Sequence, residues 1–214
     1  MSNSSLDKQG EIIQEPKKFS LKSGFKFFLK ANLLMIFILL LFVINYGVWR
    51  GTGGSALGMF IFTLELFLIL IGVTACVKPT TRNRKFSMQQ KNKWLGLGIA
   101  TILFSLMSLI FTGIHIPYPS TLVLLTIFTN VMVALYSIIF HKPAIALYES
   151  NVYGEAESVM DYTFKFIAVL FSGINYHIQI ILMRLPLILN KLIAIVFVFF
   201  LLWQSAVLIN VFEQ

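Results

Sequence analysis

The chemistry open to this chain rests on a few strongly polar side chains set inside long apolar runs. Glu65 stands in FTLELFL, in the middle of one run. An ionised carboxylate in hydrocarbon needs a partner or takes up a proton. Glu65 is therefore first a candidate for a hydrogen bond or ion pair that ties helices together, and second for proton or ion handling. Its candidate partners are His177, Lys191 and Asn130, all in later runs. A second concentration is FSGINYHIQ, where Ser172, Gly173, Asn175, Tyr176, His177 and Gln179 fall within two helical turns and circle most of the helix. Little of such a helix can face lipid, so it is expected to be buried against other helices or a second protein. His177 could also ligate haem or relay a proton, with His115 at a similar expected depth. One loose pair, however, is not the matched set of a membrane cytochrome.

Two further runs carry polar residues as stripes. Gly98, Thr101, Ser105, Ser108, Thr112 and His115 alternate spacings of three and four, which puts them on one helix face. Small and hydroxylated residues let another helix approach and bond across, so the stripe reads as a packing face, although the lining of a polar path uses the same residue types. Thr126, Asn130, Ala134, Ser137 and His141 form a similar stripe one run later. Nothing marks an enzyme. There is no P-loop, GxGxxG, HExxH, GxSxG, carboxylate cluster with metal-ligand spacing or selectivity-filter signature. The single cysteine, Cys76, excludes an internal disulfide and a cysteine-based metal cluster, and no cofactor is implied.

The elements that hold these residues follow from composition. The chain has 57 % apolar and 12 % charged residues, 21 Phe and a mean hydropathy of +0.83, which points to lipid as its solvent. The fold class expected is all-α, a polytopic transmembrane bundle. Residues 1–15 read as a flexible polar tail and 16–30 as an amphipathic basic helix lying in the membrane interface. Four spans follow in two hairpins, 31–49 with 57–77 and 95–116 with 121–140, turning at RGTGGSA and PYPS. Each covers roughly 30 Å of hydrocarbon at a helical rise. An acidic loop is expected over 141–161, then a C-terminal hairpin of about 164–183 and 187–211 turning at Arg184-Leu185-Pro186. Six spans return the C-terminus to the side of the N-terminus. An alternative parse makes one of the last two helices interfacial or re-entrant, leaving five spans and the termini on opposite sides.

Charge supplies the orientation. The net charge of +8 is spread beside apolar spans instead of gathered in a basic domain, so nucleic acid is not the expected partner. Lys18, Lys22, Lys26 and Lys30 recur every four residues and suit anionic headgroups. The loop between the hairpins carries Lys78, Arg82, Arg84, Lys85, Lys91 and Lys93 without an acidic residue, so it and the N-terminus are expected in the cytoplasm. Under the six-span parse Arg184 falls outside and Lys191 a turn inside the last helix, against the charge rule. Some thirty residues precede the first run, too many for the n-region of a cleaved signal.

The function expected is that of a non-enzymatic subunit of the bacterial inner membrane. It would scaffold or anchor a larger secretion, conjugation or respiratory assembly, contacting other membrane subunits or copies of itself. The alternatives are a small transporter or channel for protons or small solutes built on Glu65, and a haem- or quinone-binding electron carrier.

Overall fold

The computed structural model describes residues 19–49, 51–77 and 90–212. The tail at 1–15, Lys18 and most of the basic loop lie outside these residues. The described residues are helical and contain no strand: α1 Leu21–Val43, α2 Gly53–Val77, α3 Gln90–Ser108 with a 3-10 extension at Leu109–Ile114, α4 Ser120–Ile139, α5 His141–Tyr153, α6 Val159–Leu182 and α7 Leu187–Asn210. All but α5 are long and apolar enough to cross a membrane, as the sequence led one to expect.

Two departures from expectation have a local reason. No break separates the lysine-bearing stretch from the first span, because residues 21 to 43 hold no proline and only Gly24 among the poor helix formers. The acidic segment is largely helix. Ala144, Ile145, Tyr148 and Val152 recur at helical spacing and are buried, so a polar sequence still has a face to pack. Pro143 separates α4 from α5. It has no N–H to offer the carbonyl of Ile139, where α4 stops, and is tolerated in the first turn of α5.

Contacts between the helix ends give the bundle two ends. At the proximal end the N–H of Ser20 donates to the carbonyl of Cys76 (2.9 Å), so α1 begins where α2 finishes. At the distal end the Phe42 ring lies 5.8 Å from that of Phe60 and 6.2 Å from that of Phe212. The Asn45 amide there donates to Ser120 Oγ (2.8 Å) and the Pro117 carbonyl (3.1 Å). The end of α1, the start of α2, the start of α4 and the end of α7 therefore meet. Helix α7 runs antiparallel to α2, with Gln204 Nε2 on Thr63 Oγ1 (2.9 Å) and Phe67 stacked on Phe200 (4.2 Å). Its start lies beside the end of α4, where Lys191 Nζ donates to the Ile138 carbonyl. Ser20 and Phe212 thus stand at opposite ends of the bundle.

The odd member is α6. It starts against the start of α3, with Thr163 Oγ1 on the Gly96 carbonyl (3.5 Å), and passes Phe104, whose ring is 5.6 Å from that of Phe171. It finishes beside the start of α7, where the Asn190 amide donates to the Leu182 carbonyl (2.9 Å). It therefore joins the start of α3 to the start of α7 beneath the wedge that α3 and α4 form as they diverge from Ser108 and Thr121 (3.2 Å). Helix α5 runs back along it. Ser158 and Asp161 close a capping box at its start (3.1 and 2.9 Å), which fixes where α6 begins. Helices α6 and α7 do not pack as a hairpin; they touch near their turn and separate.

Candidate functional site

The polar residues of the fourth and fifth apolar runs come together. Asn130 of α4 is fully buried, and its Oδ1 accepts the backbone N–H of Asn175 in α6 at 2.9 Å, while its Nδ2 donates to the Thr126 carbonyl (2.8 Å) and reaches the Leu170 carbonyl (3.5 Å). Asn175 Nδ2 donates to Ser137 Oγ (3.0 Å), which in turn donates to the Val133 carbonyl (2.7 Å). Gln179 Nε2 closes the series on Asn175 Oδ1 (3.3 Å). The series consists of amides and hydroxyls spaced along facing stripes of α4 and α6, groups that hold helices together without any change of protonation.

At the proximal end of this series the pairing becomes incomplete. Gln179 is fully buried with Oε1 unbonded, and both ring nitrogens of His141 are buried and unbonded. Gln179 is close enough to favour a protonated His141, yet burial outweighs it and, with Lys191 and Lys142 nearby, holds the imidazole below its ordinary range. On the other face of α6, Tyr176 donates to Glu149 Oε1 (3.0 Å) and its ring stacks on Tyr148 at 4.0 Å, locking α5 to α6. Tyr176 thus serves the α5 contact, and His177, on the neighbouring surface, is exposed beside it (ring centroids 5.4 Å).

Glu65 stands apart from all of this. None of its three candidate partners reaches it. Asn130 is taken up by α6, Lys191 by Ile138, and Lys30 of α1 is the charged group that acts on His177. Glu65 is half-buried with no bonding partner among the described residues, beside the exposed Phe62 and Leu66. It shares a stripe with Ile69, Gly72 and Cys76, and these three line an open apolar groove between α2 and the start of α1, walled on the other side by Leu21, Phe25 and Phe28. No side chain fills the space above Gly72. The groove is one turn from Glu65.

The stripe of the third run is not the packing face of α3. Gly98, Thr101, Thr112 and His115 are exposed, and the two threonines return their hydroxyls to their own helix, at the carbonyls of Leu97 (2.8 Å) and Leu109 (2.7 Å). The donor of such a hydroxyl is satisfied within its own turn, so the stripe does not require a partner helix. Helix α3 packs instead through Gly96, Ala100, Phe104 and Ser108, and of the stripe only Ser108 and Ser105 reach across, to Thr121 and Tyr118 (3.2 and 3.5 Å). Gly96 is what admits α6: a Cβ there would lie 2.4 Å from Cβ of Tyr162. Lys22, Lys26 and Lys30 are exposed on α1.

Sequence reasoning passed over Gln204 and Lys165. Gln204, 2 % exposed, ties α7 to α2 through Thr63, and its signal was a lone amide in LLWQSAV. Lys165, fully buried near the start of α6, reaches the Gly154 carbonyl (3.4 Å) and so ties down the α5–α6 turn. His115 lies in the exposed turn after α3 and His177 beside α1, with no contact between them, and no group of three or more His, Cys, Asp or Glu side chains assembles among the described residues. Comparison with protein-family models, with curated proteins and with solved structures finds no match to this chain.

Proposed function

We propose that this membrane protein is an anchoring subunit that receives a transmembrane segment of another protein along the outer groove between α1 and α2, with Glu65 as the polar contact. The observation that carries the reading is the position of Glu65: mid-span, half-buried, on the edge of the bundle, and without a partner among the described residues. A carboxyl at such a depth is costly unless a donor meets it, and the candidate partners Asn130 and Lys191 are bonded elsewhere. A partner helix bearing an amide, hydroxyl or basic side chain satisfies it, and open space over Gly72 permits close approach. The transporter reading draws less support, because Glu65 does not face the amide and hydroxyl series between α4 and α6. The basic proximal end, with Lys22, Lys26 and Lys30, supports a cytoplasmic N-terminus, and a bacterial inner membrane is the setting in which such a subunit of a secretion, conjugation or respiratory assembly would work.

A photo-crosslinking residue at Phe62 or Leu66, flanking Glu65, tests this in native membranes against the exposed Ile102 of α3 as control. The expected result is a discrete adduct with a second polypeptide from the two α2 positions and none from position 102, with the adduct lost in Glu65→Leu and kept in Glu65→Gln. Lipid adducts alone from α2, or an adduct indifferent to Glu65→Leu, would overturn the reading.

A further inference from the structure

A second apolar space lies on the opposite side of α1 from α2. It measures about 400 Å³ and is enclosed by Leu34 and Phe37 of α1, Phe104 of α3, Val123 of α4 and Ile174 and His177 of α6. Helix α1 packs along α2 and meets α4 near its distal end, but has no extended contact with α3 or α6. The space therefore opens sideways, between α1 and α3, into the surroundings of the bundle. In a bilayer those surroundings are acyl chains, and a gap of this kind with almost wholly apolar walls takes hydrocarbon in preference to water. Its size is at the lower end of roughly 300–1,000 Å³ for ligand sites and suits a single chain.

The charge at one edge narrows the choice of lipid. Lys30, Leu34, Phe37 and Leu41 follow spacings of four, three and four, so the exposed lysine stands on the same α1 face as the wall residues, one turn to their proximal side. Lys26 precedes it by another turn. His177, exposed and within electrostatic reach of Lys30, offers a ring nitrogen at the same edge from α6. An ammonium and an imidazole beside an apolar slot are complementary to a phosphate joined to a fatty chain.

We propose that this space is a binding site for one anionic phospholipid, with an acyl chain between α1, α3, α4 and α6 and the headgroup phosphate on Lys30 and His177. The lipid takes the place of the packing that α1 lacks with α3 and α6.

Native mass spectrometry of the full chain in mild detergent, loaded with phosphatidylglycerol or with phosphatidylcholine of the same chain length, tests the site. The wild type is expected to retain one phosphatidylglycerol in preference to phosphatidylcholine. Lys30→Gln, an exposed change, should lower retention of the anionic lipid roughly fivefold, the worth of one lysine near a headgroup, and leave phosphatidylcholine unaffected. Thr101→Trp, which fills the space from an exposed wall position, should reduce retention of both lipids. Equal retention of the two lipids by the wild type, or a Lys30→Gln protein that keeps the preference, overturns the proposal. Should Thr101→Trp fail to fold, Lys30→Gln decides alone.

Discussion

Asn130 offers the sharpest test of how this bundle is held. Replacing it with leucine keeps the volume and removes the two bonds to α6, one of good geometry to the N–H of Asn175 (2.9 Å) and one at the limit of length to the Leu170 carbonyl (3.5 Å). Interhelical bonds in membrane proteins average about 0.6 kcal/mol and reach about 1.7 at best, so the strong bond plus a weak one amounts to about 1–2 kcal/mol. Asn32 of α1 is the matching control. Its amide also sits in a span but bonds only to its own helix, at the Phe28 carbonyl (3.2 Å), so Asn32→Leu should cost close to nothing. Unfolding of the purified protein in mixed micelles by rising SDS mole fraction, followed by circular dichroism, reads both. A midpoint for Asn130→Leu indistinguishable from wild type, or equal losses for the two variants, would refute the view that bonds across α4 and α6 carry stability that bonds within a helix do not.

Other expectations follow from single contacts. Gly96→Ala drives a methyl into Tyr162 and should cost about 1–3 kcal/mol by overpacking, whereas Gly98→Ala meets nothing and should gain up to about 1 kcal/mol of helix propensity; midpoints in the same SDS titration separate them. Ser158→Ala removes the capping box of α6 and should lose about 1 kcal/mol, read as a lower thermal midpoint. Burial holds His141 below its ordinary range, so the folded protein favours the neutral ring. The stability due to that ring is complete above the unfolded value of about 6.5 and declines as the pH falls below it, so the drop in Tm between about pH 7.5 and 5.5 should be smaller in His141→Asn than in wild type.

Length and hydropathy made the six apolar helices legible, because a run of about twenty apolar residues between turn residues has few other fates. The turn at Pro117 and Pro119 and the burial of the polar run around Asn175 were legible for similar reasons, since proline chemistry is local and a helix polar all round has to be covered; that Asn130 would cover it was not. Direction was not legible. Nothing in residues 159–182 says that the helix they form starts beside Gly96 and ends beside the start of α7. That outcome depends on Gly96 admitting Tyr162 and on Pro143 turning α5 back along α6, contacts between residues far apart in sequence. The α3 stripe misled because periodicity reports a face but not what covers it. Threonine hydroxyls that bond to their own turn look the same in sequence as those that bond to a neighbour. Glu65 was visible as an expense, while its lack of a partner among the described residues appeared only once Asn130 and Lys191 were seen bonded elsewhere.

The place where α6 ends has a consequence for how the molecule sits in an energised membrane. Because α6 ends on the side where α1 begins, Arg184 and Lys191 fall at the same end as Lys22, Lys26 and Lys142, not at the opposite end where a strictly alternating chain would place them. Carrying any one of these charges across a potential of 100 mV is worth about 2.3 kcal/mol. A membrane negative on the proximal side therefore holds this end in place through several charges at once, and the inverted insertion is opposed by the sum. In a membrane of that polarity the voltage that drives transport in other proteins would act as a clamp on orientation, tighter with each basic residue at the proximal end.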